Sequence, residues 1–168
     1  VAPGRDPKST IGPLINLEAV EKVETLLSDA VKHGAKVATG GARDKTGAQF
    51  FEPTIVTGVT EEMEIAKDEI FGPVASLIRF ETEADAIRIA NATPHGLAAY
   101  LFSQNLSRAW RVAEALEAGM VGVNEGLFSN EVVPFGGVKQ SGLGRECAAE
   151  GLEEYLETKF ICLGGISG

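Results

Sequence analysis

The chain reads as an α/β protein with a mainly parallel sheet, flanking helices and a carboxy-terminal strand. Three features predict this. Segments with apolar residues at helical spacing alternate with short runs rich in Val, Ile and Ala, as in βαβ units. Gly and Pro stand at the junctions between them. After residue 124 the periodicity gives way to a Gly-rich stretch, and then to a segment that alternates every second residue.

Residues 17–33 place Val20, Val23, Leu26, Leu27, Ala30 and Val31 at helical spacing. Gly34 follows, suited to the positive φ just past a helix end. Residues 36–39 read as a short strand stopped by Gly40 and Gly41, and 44–48 as a polar turn. Residues 51–59 are β-rich, but Pro53 has no N–H for a ladder, so an edge position or a late start is expected. The acidic run Glu61, Glu62, Glu64 and Asp68 reads as a solvated loop, and residues 74–80 as a strand. Thr82 stands as an N-cap before a helix over 84–91 with acidic residues in its first turn. Residues 97–102 form a strand, 107–116 a helix ended by Gly119, and 120–124 a buried strand. Residues 125–145 lack periodicity, which marks a functional loop or a subunit contact. A short helix is expected around 146–152. From 154 to 162, Tyr155, Glu157, Lys159 and Ile161 alternate with Leu156, Thr158, Phe160 and Cys162. That pattern predicts a strand with one greasier side, suited to joining another sheet.

With 168 residues, 44% apolar and 23% charged, the chain can bury a real core. Its net charge of −9 disfavours nucleic acid and anionic membranes, since no basic patch would release counterions. No apolar run is long enough to cross a bilayer, and the first residues resemble neither a signal nor a transit peptide. Two cysteines and two isolated histidines, His33 and His95, make neither a disulfide framework nor a metal site. A cytoplasmic location is expected. The glycine run 136–144 matches neither phosphate cradle: position 147 is Cys where a dinucleotide fingerprint needs Gly, and no Lys-Ser/Thr follows Gly142. It reads as a turn that lets backbone pass close to backbone.

Two motifs carry chemical information. The first is Asp68-Glu69-Ile70-Phe71-Gly72-Pro73. The second is Pro134-Phe135-Gly136-Gly137-Val138-Lys139-Gln140-Ser141-Gly142-Leu143-Gly144-Arg145-Glu146. Taken alone, Gly72-Pro73 forces a turn and Phe71 is an ordinary core candidate. In this order the two motifs resemble those of the aldehyde dehydrogenase superfamily. Ile11-Gly12-Pro13-Leu14-Ile15 adds a third familiar segment, so the resemblance covers nearly the whole chain. The stretch from Asn124 to Phe135 is similar to that of the succinate-semialdehyde dehydrogenases.

The resemblance implies oxidation of an aldehyde, here succinate semialdehyde or a close relative, with NAD or NADP, through a cysteine thioester. It implies that Glu69 hydrogen-bonds the nicotinamide-side ribose hydroxyls and that Phe71 packs on the nicotinamide. A carboxylate accepts from vicinal hydroxyls and an aromatic face fixes a planar ring, so both roles are chemically apt. It further implies that Ser129 holds the distal carboxylate of the substrate and that Phe135 lines the aldehyde access tunnel. Arg145 is implied to pair with Glu157 near a subunit contact. The family's catalytic Cys and Glu motifs are absent, so the nucleophile and base are expected upstream and the isolated fragment is expected to be inactive. Residues 1–124 then correspond to the later half of the catalytic domain, and 125–168 to an active-site loop and an oligomerisation arm of a homo-oligomer. Cys147 reads as a small buried residue at a helix start and Cys162 as packing; neither histidine is assigned a role. Two alternatives stand beside this reading: a non-catalytic oligomerisation module, and an acyl-phosphate or acyl-CoA reductase on the same fold.

Overall fold

The computed structural model describes residues 1–165. The chain divides into two compact units, Val1–Glu81 and Thr82–Gly168. The 125–165 segment lies wholly in the second.

The first unit is built around helix α1, Leu17–Lys32. Asn16 caps its start, its side chain accepting from the Ala19 N–H at 2.8 Å. Gly34, at φ 101°, ends it, and the Ala35 N–H returns to the Ala30 carbonyl at 3.0 Å. Val20, Val23, Leu26, Leu27 and Ala30 are buried on one face. They pack with Phe51, Val56, Val59, Met63 and Ile65 into one core. The sheet has the order β1 (Lys36–Thr39), β2 (Thr54–Thr57), β3 (Val74–Leu77), antiparallel at β1–β2 and parallel at β2–β3. Pro53 is accommodated by the late start, since β2 begins at Thr54 in the middle of the sheet. The expected acidic loop contains a helical turn, α2 (Glu64–Lys67), because Met63 and Ile65 are drawn into the core while the carboxylates remain outside.

In the second unit, helix α3 (Glu83–Asn91) begins with a full capping box between Thr82 and Asp85. Helix α4 (Leu106–Ala115) is capped by Asn105. Glu83 accepts from both Arg108 (3.2 Å) and Arg111 (2.8 Å) and so ties α3 to α4. Strands β5 (Ala98–Leu101) and β6 (Met120–Val123) pair in parallel, with Tyr100 opposite Gly122. β4 (His95–Gly96) pairs antiparallel with β7 (Val138–Lys139). Both short strands depart from expectation, which starts the strand only at residue 97 and leaves 125–145 without regular structure. Two side chains account for the pairing. The Ser141 hydroxyl accepts from the Gly96 N–H, and the Lys139 ammonium donates to the Asn91 and Thr93 carbonyls. Lys139 also pairs with Glu117.

Two expectations for the end of the chain change. The helix is shorter and later than read, α5 at Glu150–Glu153. Among the described residues of 154–162 no strand forms. A ladder needs a partner edge, and none is supplied, so the segment runs with Tyr155, Leu156, Phe160 and Ile161 exposed. No helix among the described residues is long and apolar enough to cross a membrane.

Candidate active-site surface

Residues 68–73 form a turn entering β3, and each position has a distinct fate. Ile70 packs against the core. Gly72 lies so close to α1 that a Cβ would stand 2.6 Å from Val23 Cγ2. Pro73 passes its carbonyl to the Thr54 N–H at 2.8 Å, and the Lys22 ammonium donates to the Glu69 carbonyl at 2.7 Å. Four contacts therefore fix the backbone while the side chains of Glu69 and Phe71 are left outside. Phe71 is 79% exposed and has φ 50°, in the left-handed region that non-glycine residues avoid. A large apolar ring held outward on a strained backbone costs free energy twice, and such positions cluster at functional sites. Sequence alone leaves Phe71 as a core candidate; only the structure shows it exposed.

Ser129 and Phe135 belong to the second unit. The loop that carries them leaves the carboxyl end of β6, beside the carboxyl end of β5. In parallel α/β sheets that is the side where ligands bind. Asn124 is its root: at φ 55°, its side chain accepts from the Ser103 N–H (2.8 Å) and donates to the Ser103 carbonyl (2.9 Å). The Glu125 carboxylate then accepts from the Gly126 and Leu127 N–H groups. The Phe128 ring lies against Tyr100, with centroids 5.1 Å apart. Ser129 follows, exposed, and Asn130 closes a turn by accepting from the Val132 N–H. Phe135 is half-buried and bridges Glu146 through both backbone hydrogen bonds, at 2.7 and 2.8 Å. It lines an open groove of about 660 Å³ with Arg145, Cys147, Leu152, Glu154 and Tyr155.

The lower wall of this region is held by backbone packing. A Cβ on Gly119 would overlap the Gly136 carbonyl. The Arg145 guanidinium donates to the Gly137 (2.9 Å) and Gly144 (2.7 Å) carbonyls, and its backbone N–H donates to the Glu154 carboxylate at 3.0 Å. The expected Arg145–Glu157 pairing is therefore replaced: carbonyls occupy the guanidinium, Glu154 supplies the carboxylate, and Glu157 is exposed. Cys147 is exposed at φ 61°, not buried, because Cys147 and Ala148 both adopt left-handed backbone before α5. Cys162 is exposed with the rest of the tail rather than packed.

Glu69 and Phe71 share one turn; Ser129 and Phe135 share one loop. Sequence reasoning missed Asn124, Lys139 and Tyr100 as supports. The detectable signals were an Asn directly after a buried strand and a Lys inside a glycine-rich run. Among the charged groups, the Glu83 carboxyl is held below its ordinary value mainly by its hydrogen bond to Arg111. The Glu24 carboxyl is lowered likewise by the Arg43 guanidinium, at 2.7 Å. The first pair joins two helices, and the second joins α1 to the segment after β1. No group of three or more His, Cys, Asp or Glu among the described residues is placed to hold a metal ion.

Residues 1–161 match the aldehyde dehydrogenase family. A mitochondrial succinate-semialdehyde dehydrogenase of Arabidopsis thaliana is 61% identical over 95% of this chain and 30% of its own length. A probable succinate-semialdehyde dehydrogenase [NADP(+)] of Sinorhizobium fredii is 55% identical over 99% of the chain and 34% of its own. The crystal structure of succinate-semialdehyde dehydrogenase from Burkholderia pseudomallei superposes with a TM-score of 0.88 at 57% identity, covering 90% of this chain and 32% of that one. The chain thus spans about a third of the length of the relatives it matches. With its motifs, its parallel strand pairs and these likenesses in agreement, the chain belongs to the aldehyde dehydrogenase family.

Proposed function

We propose that the chain forms the cofactor-facing turn, the substrate loop and the assembly arm of an NAD(P)-dependent aldehyde dehydrogenase that oxidises succinate semialdehyde. The observation that carries this reading is the 68–73 turn: it packs Ile70 against the core, locks Gly72 and Pro73, and leaves the Glu69 and Phe71 side chains outside, with Asp68 exposed at its start. A planar aromatic and a carboxylate two residues apart fit a ribosyl-nicotinamide. When bound, that group supplies the hydride acceptor for aldehyde oxidation. The Glu69 carboxylate accepts hydrogen bonds from the ribose hydroxyls, and the Phe71 ring covers one face of the heterocycle. Both side chains stand on a backbone already fixed, so little ordering entropy is lost on binding.

Ser129 Oγ donates one hydrogen bond to the substrate's distal carboxylate. A hydroxyl does not neutralise that charge, so cationic partners come from outside this chain. The nucleophilic cysteine and the water-activating glutamate do so as well. Room for them is supported by the relatives' greater length. The substrate assignment is supported by the likeness to succinate-semialdehyde dehydrogenases, and NADP use by the likeness to the probable NADP(+) enzyme of Sinorhizobium fredii.

The exposed tail favours self-association. Tyr155, Leu156, Phe160, Ile161 and Leu163 are each more than two-thirds exposed, a density of apolar side chains that marks an interaction surface. A second copy of the complete polypeptide is the proposed occupant.

The test is Glu69→Ala in the complete enzyme. It raises the cofactor KM and lowers the hydride-transfer rate while leaving the melting temperature unchanged. Wild-type cofactor kinetics in this variant would remove the assignment.

A further inference from the structure

We propose that the Tyr100–Phe128 ring pair is a positioning device that sets Ser129 and thereby selects carboxylate-bearing aldehydes; this rests on the Ser129 role proposed above. In the parallel β5–β6 register Tyr100 stands opposite Gly122, a residue with no side chain to pack against it. The loop fills that gap with its own aromatic. A Cβ on Gly122 would lie 2.8 Å from Phe128 Cδ1 and 2.9 Å from Cε1, so the ring sits over the bare backbone. Its centroid is 5.1 Å from that of Tyr100, with the planes inclined by 43°. This is an aromatic covering a strand glycine, a pairing that pins local geometry in sheets.

The backbone between β6 and Phe128 is equally defined. Asn124 is clamped to Ser103 from both sides of its amide. The Glu125 carboxylate gathers the next two N–H groups, at 2.8 and 3.1 Å. The chain thus reverses over four residues and drops Phe128 back onto the sheet. Ser129 is the next residue, about 3.8 Å away at Cα, and its exposed hydroxyl inherits its place from the seated ring. Unseating the ring lowers the fraction of loops with Ser129 in place, and apparent affinity falls by that fraction.

The experiment uses the complete enzyme and two substrates, succinate semialdehyde and an uncharged aldehyde of the same chain length. Phe128→Ala and, independently, Tyr100→Ala raise KM for succinate semialdehyde about three- to tenfold, the range an aromatic pair spans. The kcat and the KM for the uncharged aldehyde stay put. Phe128→Tyr keeps the ring and the wild-type KM. In a Ser129→Ala background, Phe128→Ala adds nothing further. Should Phe128→Ala fail to fold, Tyr100→Ala carries the test, because its side chain is half exposed. Equal KM increases for both aldehydes, or effects that add to those of Ser129→Ala, overturn the positioning role. If Ser129→Ala is selective while both ring variants are silent, the ring pair alone is refuted. If Ser129→Ala is itself unselective, the carboxylate reading falls and this one with it.

Discussion

Replacing Gly72 by Ala tests how the 68–73 turn, the proposed cofactor contact, is held. The added methyl would stand 2.6 Å from Val23 Cγ2, and 3.8 Å from Ile70 Cγ2 and Leu14 Cδ2. Carbon atoms settle about 3.5–4.0 Å apart, so one neighbour must retreat by roughly 1 Å. Val23 is fully buried and, being β-branched in a helix, has a single favoured rotamer. The turn is the weaker partner and moves. Overpacking of this kind costs about 1–3 kcal/mol of stability. A shift of about 1 Å at a reacting group can cost about 100-fold, so kcat in the complete enzyme is expected to fall by about 10- to 100-fold. Steady-state hydride transfer at saturating aldehyde, with cofactor varied, measures it. Val23→Ala in the same polypeptide removes the opposing methyl and restores much of the rate. Wild-type turnover in Gly72→Ala, or no recovery in the double variant, would show that this contact does not set the turn.

Other outcomes follow from the second unit. Glu83→Gln removes the α3–α4 clamp. Because the folded carboxyl titrates below its ordinary 4.5, its stabilisation is complete above that value and disappears as pH falls through the lower folded value. Melting temperatures of wild type and variant therefore differ from pH 5 to 8 and converge in stronger acid, which a pH series of thermal melts reads out. Gly119→Ala drives a methyl into the Gly136 carbonyl, where backbone cannot yield cheaply, and is expected to abolish soluble enzyme or its activity. Asn124→Ala loses two hydrogen bonds and places Ala at φ 55°, a cost of about 1–3 kcal/mol. Asn124→Gly, which relieves only the backbone term, is milder in the same denaturation assay.

Much of the architecture was legible from residue pattern. The face of α1 was readable because Val20, Val23, Leu26, Leu27 and Ala30 bury together, and Thr82 because a capping box is local chemistry. Lys36–Thr39 stood out as a short run stopped by Gly40 and Gly41, and Met120–Val123 as a compact apolar run after Gly119. What escaped was set by distant partners. The β4–β7 pair depends on Ser141 and Lys139 reaching back more than forty residues, which no periodicity encodes. The α2 turn was hidden because Met63 and Ile65 lie within a run of acids. The site residues were named by motif, whereas their presentation was not: Phe71 owes its exposure to the packing of Ile70 and Gly72, and Arg145 found carbonyls rather than Glu157. The final strand failed to form for a different reason, since a ladder needs a second edge and none of the described residues pairs with 154–162.

Under the proposed self-association, that unclaimed tail ties the lifetime of each copy to its company. Nicking concentrates where exposed chain ends are held by few contacts, and Phe160 and Ile161 stand exposed on such a segment. A copy that has found no mate is thus open to trimming, while docking would shield the same bonds. Cleavage near these positions would then serve as a clock for how long newly made subunits wait.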